Sequence, residues 1–136
     1  MGHMPSESRQ IAEYIERNPA EVYDYASDPA NIPEWAPGLG TAVEEVDGQW
    51  YVGSPGGRVA VTFADRNDFG VLDHYVTLAS GEVVYIPMRV TADGSGSELV
   101  FTLRRQPGMT DDDFIRDEGL VSSDLARLKR ILEGTA

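Results

Sequence analysis

The last third of the chain most constrains its fold, because a strand there leads almost directly into one long amphipathic helix. Ser97–Arg105 has the alternation of a strand, and a helix then begins at Thr110, whose hydroxyl can cap free amides. Residues 111–113 are aspartates that suit the positive end of the helix dipole, and Gly134 can end the helix. The helix would be about 24 residues and about 35 Å long.

One face of this helix is apolar and needs a sheet to lie on. Its apolar positions recur at spacings of three, four and seven, and neighbouring apolar residues widen the stripe. The stripe consists of Phe114, Val121, Leu125, Leu128 and Leu132, widened by Ile115, Leu120 and Ile131. A bent sheet that holds a long helix often leaves an apolar pocket between them, so we predict a binder of small molecules.

The preceding residues predict a strand, two short helices and an antiparallel meander. The opening strand lies within Ser8–Asn18, a helix begins at Asn18-Pro19, and a second helical piece, Asn31–Pro37, is capped by Asn31. The later strands are Thr41–Val46, Gln49–Gly53, Arg58–Asp65, Val71–Ala79, Glu82–Ala92 and Ser97–Arg105. Asp47-Gly48 fits a two-residue hairpin turn. We predict an α+β fold with about six or seven strands.

Size and charge limit the domain count and the partners. With 136 residues in all, we interpret residues 5–136 as a single domain and residues 1–4 as a tag remnant and start methionine. The 11 basic and 23 acidic residues give a net charge of −12, which disfavours nucleic acid and anionic membranes. Cysteine is absent, no secretory signal is evident and the apolar runs are too short for membrane insertion, so we expect a cytoplasmic protein.

The order of elements and several short motifs resemble the SRPBCC or START-like superfamily, in particular its bacterial polyketide cyclase/dehydrase and lipid transport group. The matching segments are Asn18–Pro29, Trp35, Asp73-His74, Pro87–Val90, Phe101-Thr102, Pro107–Met109 and Asp124–Lys129. The resemblance covers Arg9–Glu133 and implies the helix-grip fold, a curved antiparallel sheet around the C-terminal helix. Its members include lipid carriers, receptors, cyclases, dehydratases and chaperone cofactors, so the fold leaves the function open.

His74 is the one histidine that we consider for chemistry, because His3 lies in the interpreted tag. Alternation along Val71–Ala79 puts His74 on the more apolar face, towards the predicted cavity, and Asp73 on the opposite face. An inward imidazole can act as a general base or orient a ligand carbonyl. The alternative is a buried histidine that is hydrogen-bonded to a neighbour. Since Asp73 points away, an Asp-His relay is not expected.

Arg89 is the second candidate for catalysis. Alternation in Glu82–Ala92 assigns Val84, Ile86, Met88 and Val90 to the core and leaves Arg89 outside, paired with a strand carboxylate. The alternative is an inward Arg89 that meets an acidic group of the ligand. No spacing of histidine and carboxylate residues indicates a metal site, and no cofactor is expected.

Aromatic residues and methionines supply the predicted cavity wall. Trp35 lies in the second helical piece and either contacts ligand as part of a lid or fills the gap between that helix and the sheet. The other predicted ligand-binding residues are Phe63, His74, Met88, Phe101, Leu103, Met109, Val121 and Leu125.

Three functions are compatible with these features. The leading hypothesis is a carrier or sensor that binds a hydrophobic or aromatic small molecule between the sheet and the helix. The alternative is a cofactor-independent cyclase or dehydratase on a polyketide-like or aromatic substrate, with His74 as proton shuttle. The third is a protein-interaction or chaperone-partner module. A monomer and a homodimer are both compatible with the sequence.

Overall fold

The computed structural model describes residues 7–54 and 57–134, in which eight strands form two antiparallel sheets beside a long C-terminal helix. The elements are β1 (Ser8–Ile15), α1 (Pro19–Ala26), a 3-10 turn (Pro29–Asn31), α2 (Ile32–Trp35), β2 (Ala42–Val46), β3 (Gln49–Ser54), β4 (Gly57–Phe63), β5 (His74–Thr77), β6 (Val83–Ile86), β7 (Met88–Asp93), β8 (Gly96–Arg104) and α3 (Asp111–Glu133). The sheets have the orders β1-β8-β7 and β2-β3-β4-β5-β6. The predicted α+β helix-grip fold is confirmed, and the interpreted tag lies outside the described residues.

Two of the three predicted local signals in the first half of the chain are confirmed. Asn18 caps α1 by accepting a hydrogen bond from the Glu21 N–H, and Asp47 and Gly48 have φ values of 51° and 82° in the β2–β3 turn. The predicted cap by Asn31 is wrong, because helical structure already begins at Pro29. Asp28 therefore occupies the cap position and accepts from the Ala30 N–H, 3.0 Å away.

Proline divides the predicted strand Glu82–Ala92 into β6 and β7, which raises the strand count above the predicted six or seven. Pro87 has no N–H to donate to a neighbouring strand, so pairing is interrupted there. On one side of it β6 pairs with β5, and on the other side β7 pairs with β8. The two sheets therefore separate at Pro87, whose carbonyl still accepts from the Thr102 N–H at 2.9 Å.

The closing helix α3 begins and ends where the sequence predicts. Thr110 and Asp113 form a reciprocal capping box at its start, and Gly134 ends it in the left-handed conformation with φ 73°. The buried stripe is narrower than predicted, since Ile115 and Leu120 are 63% and 54% exposed. Ile115 lies at the edge of the stripe, whereas Leu120 lines an open cavity beside α3.

The core lies between α1, α3 and the inner faces of the strands. Its fully buried side chains include Ile15, Leu72, Met88, Leu99 and Leu128. The inner face of β7 packs against α1, whereas α3 packs along β1. Within residues 7–54 and 57–134, no helix combines the length and the apolar character that crossing a bilayer requires. This division of the inner surface leaves the part of the sheet next to α2 free to border a cavity.

Candidate functional site

A cavity of about 560 Å³ lies between α2, α3 and the inner faces of β4, β5, β6 and β8. This volume falls in the range of pockets that hold small organic ligands. Its apolar lining includes Ile32, Trp35, Leu39, Val61, Phe63, Val76, Ile86, Phe101, Leu103, Leu120, Val121 and Leu125. A cavity with this lining favours apolar guests, because contact with the walls replaces contact with water.

Three rings form an aromatic wall in this cavity. The ring of Phe63 stacks on His74 with a centroid distance of 4.9 Å, and Phe101 meets the imidazole edge-on at 6.3 Å. The rings come together because Phe63 on β4 is directly opposite His74 on β5, and β8 brings Phe101 to the same inner surface. A wall of flat, weakly polar faces is well suited to an aromatic guest.

His74 is buried, and one of its ring nitrogens is already engaged. Its Nδ1 lies 3.0 Å from the Leu72 carbonyl oxygen. Because a carbonyl only accepts, Nδ1 carries the proton and Nε2 is left as an unprotonated acceptor. Burial lowers the pKa of His74, which keeps the imidazole neutral near pH 7. Within the described residues Nε2 has no hydrogen-bond partner, so the histidine offers a neutral acceptor on a cavity wall.

Asp73 lies on the opposite face, as alternation predicts, and makes no relay with His74. Its carboxylate accepts hydrogen bonds from the Tyr85 hydroxyl and the Met88 N–H at 2.8 Å, and from Arg89 Nε and Nη2 at 3.0 and 2.9 Å. These donors, led by the Arg89 guanidinium, lower the pKa of Asp73 to about 2. The alternative of an inward Arg89 is contradicted, because Asp73 holds that side chain away from the cavity.

Most of the predicted wall residues do line the cavity, and two do not. Those that line it are Trp35, Phe63, His74, Phe101, Leu103, Val121 and Leu125. Met88 is fully buried in the core cluster and is not among the residues that line the cavity. The Met109 sulfur accepts a hydrogen bond from the Gln106 N–H at 3.2 Å and so belongs to the turn before α3. Placing Met88 and Met109 in the wall was wrong.

Charged residues of α3 also line the cavity, and the sequence interpretation missed them. Arg127 donates to Asp124 Oδ1 at 3.0 Å and to the Trp35 carbonyl at 3.2 Å, so it links α3 to α2. Burial raises the pKa of both Asp117 and Asp124. Their spacing of three and four from Val121 puts both on its helix face, a signal that was present in the sequence.

The indole of Trp35 is buried at the edge of the cavity with an unsatisfied donor. Its Nε1–H meets no acceptor among the described residues, and the residue is 5% exposed. A buried donor without a partner costs about 1–3 kcal/mol. The described residues contain no cluster of three or more histidine, aspartate or glutamate side chains that could hold a metal ion.

Comparisons with known proteins agree with this architecture. A model of the family described as polyketide cyclase / dehydrase and lipid transport matches residues 9–133, whereas a search of curated proteins gave no match. The Aha1 dimer from Colwellia psychrerythraea has a similar fold, with TM-score 0.75, 13% identity, and coverage of 95% of this chain and 98% of that one. XoxI from Bacillus cereus has a TM-score of 0.70 and 14% identity, with coverage of 93% of this chain and 95% of that one. Ara h 8.0201 has a TM-score of 0.62 and 13% identity, with coverage of 96% of this chain and 99% of that one.

At these identities the structural similarities show the fold alone. The family match is stronger evidence, since it runs from β1 to the last turn of α3 and includes every element that borders the cavity. The chain therefore belongs to the polyketide cyclase / dehydrase and lipid transport family.

Proposed function

We propose that the protein binds a hydrophobic or aromatic small molecule in the cavity and serves as a carrier or sensor. The observation that carries this proposal is the aromatic wall of Phe63, His74 and Phe101 in an otherwise apolar cavity of about 560 Å³. An aromatic guest gains both apolar burial and ring stacking there. The neutral Nε2 of His74 adds one acceptor that can orient a hydroxyl of the guest.

Titration with 2-naphthol tests this proposal. We expect binding with a dissociation constant on the order of 10–100 µM for a probe of this size. Calorimetry measures the affinity, and quenching of tryptophan fluorescence reports the location. Trp35 lines the cavity and Trp50 does not, so Trp50→Phe should keep most of the quenching and Trp35→Phe should lose most of it. Absence of binding heat with 2-naphthol and with larger aromatic probes would contradict the proposal.

A second candidate is a cofactor-independent cyclase or dehydratase in which His74 takes a proton from the substrate. One observation favours it: the hydrogen bond from Nδ1 to Leu72 leaves Nε2 unprotonated on the cavity wall. In a dehydration, Nε2 would remove the proton next to a carbonyl and the β-hydroxyl would leave as water. The half-buried carboxyl of Asp117, whose pKa is raised by burial, is the candidate acid, because Asp124 is paired with Arg127.

A β-hydroxy aryl ketone tests the second candidate, because its loss of water to the conjugated enone is visible in the ultraviolet. If His74 is the base, His74→Gln lowers the rate by about 100-fold or more. His74→Phe preserves an aromatic ring beside Phe63 and Phe101, so it should retain binding while losing turnover. Equal rates for the wild type and both variants, or no turnover at all, would remove His74 from this role.

The proposed partner is thus a small molecule, and the proposed location is the cytoplasm. For the quaternary state, we propose either a monomer or a homodimer. The relative from Colwellia psychrerythraea is a dimer by its name, but at 13% identity only its fold transfers to this chain.

A further inference from the structure

The two sheets separate beside the cavity and leave two strand edges unpaired. Pairing of β7 with β8 ends at Met88 opposite Phe101, followed by the hydrogen bond from Thr102 to Pro87. Three residues further in the same register, Tyr85 on β6 would face Arg104 on β8. Within the described residues, however, β6 pairs only with β5. The edge of β6 at Tyr85 and the edge of β8 at Arg104 therefore share no ladder, and we call the gap between them the split.

The cavity extends into this split. Alternation along β8 places Phe101 and Leu103 on the inner face, and Thr102 and Arg104 on the outer face. Residues from both faces nevertheless line the same cavity, as does Tyr85 of β6, whose hydroxyl binds Asp73 on the outer side. A cavity bordered by both faces of a sheet opens through that sheet. The split between β6 and β8, whose Cα atoms still approach within 8 Å, is therefore a narrow opening.

Arg104 at this opening differs from nearly all other basic residues of the chain. Of the 11 basic residues, nine have a carboxylate oxygen within 4.0 Å. In the part of the chain that the structure describes, Arg104 and Arg130 have none. With 23 acidic residues available, an arginine without a carboxylate partner at the rim of a cavity is free to bind an anion from outside.

The other charged groups that line the cavity are not available to bind an external anion. Arg127 is paired with Asp124, and Asp117 contributes a carboxylate from α3. The backbone adds a further donor beside the guanidinium, because the Thr102 N–H points to the β7 side and the Arg104 N–H, two residues on, points the same way. The Arg104 N–H thus points into the opening between β6 and β8, and the exposed residue itself lines the cavity there.

We propose that Arg104 binds the anionic end of an amphipathic ligand whose apolar body lies in the cavity. The ligand class is an apolar monocarboxylic acid, whose carboxylate stays at the opening between β6 and β8 while its body reaches the aromatic wall. This inference rests on the proposed binding function and specifies the chemistry of the guest. It assigns to Arg104 the contact with an acidic group that the sequence had considered for Arg89.

The test compares decanoate with decanol, which share a chain length and differ in charge. Calorimetry at pH 7 measures both probes against the wild type, Arg104→Gln and Arg130→Gln. Loss of a charge-assisted contact should weaken decanoate binding to Arg104→Gln by about 10-fold and change decanol binding less than about 2-fold. Arg130→Gln, the matched control that removes an unpaired arginine outside the cavity lining, should change neither. Arg104→Lys should retain part of the decanoate affinity.

The outcomes separate this inference from the function on which it rests. If both probes bind and Arg104→Gln weakens them equally or not at all, the carboxylate contact is overturned and the binding function stands. If Arg130→Gln has the same effect as Arg104→Gln, the effect comes from net charge and the inference is again overturned. If neither probe and no aromatic probe binds the wild type, the binding function itself fails.

Discussion

Replacing Asp73 with alanine is expected to lower the free energy of unfolding by about 3 kcal/mol, because this carboxylate connects β5, β6 and β7 on the outer side of the sheets. It accepts four hydrogen bonds, and one of the donors is the N–H of fully buried Met88. In Asp73→Ala that N–H keeps its burial and loses its acceptor, which is the costly outcome. Equilibrium unfolding in guanidinium chloride measures the change.

A surface ion pair provides the matched control. Asp24 also binds an arginine, Arg66, but their side chains are 59% and 70% exposed. Water competes for both groups, so Asp24→Ala should cost at most about 0.5 kcal/mol. Similar losses from Asp24→Ala and Asp73→Ala would show that the hydrogen bonds of Asp73 contribute no more to stability than an ordinary surface ion pair.

The contribution of Asp73 also depends on pH with a defined sign. Its pKa in the folded protein is lowered to about 2 from a usual value of 3.8. A carboxyl with a lowered pKa stabilises the fold above its unfolded pKa, and this stabilisation is lost as pH falls towards its folded pKa. The linkage is worth about 1–2 kcal/mol once solvent screening at half-exposed Arg89 is included. The stability difference between wild type and Asp73→Ala should therefore be constant above about pH 5 and shrink between about pH 4 and pH 2.

Strand alternation predicted which way His74, Asp73 and Arg89 face, because a side chain's face depends only on its own strand. It did not predict what covers each face. Met88 is inward as expected, but it packs within the core cluster and does not line the cavity. Which helix packs over which strand depends on contacts between residues far apart in sequence. A single sequence does not show these contacts.

The opening in the sheet illustrates the same limit. Pro87 was visible in the sequence, and a proline within a strand is a known interruption of pairing. Its consequence depends on β8, since the gap is bordered by Tyr85 and Arg104 from strands that are distant along the chain. The function of Arg104 could therefore be inferred only after the register of β7 with β8 was known.

Replacing Trp35 with alanine is expected to lower the free energy of unfolding by about 3 kcal/mol, and replacing it with phenylalanine by less than about 1 kcal/mol. The indole is buried between α2 and the rest of the core cluster, so its complete removal leaves a large void. Phenylalanine retains most of the apolar ring and also removes the Nε1–H, which has no acceptor among the described residues. Relief from that unsatisfied donor offsets part of the lost volume.

Thermal and guanidinium unfolding followed by circular dichroism measure both variants without depending on tryptophan fluorescence. The contrast between the two variants tests the state of the indole, because both lose the same N–H and differ mainly in the ring that remains. A loss for Trp35→Phe as large as that for Trp35→Ala would mean that the Nε1–H has a stabilising partner. A small loss for Trp35→Phe would leave α2 in place, so any change in 2-naphthol affinity in that variant could be attributed to the cavity wall itself.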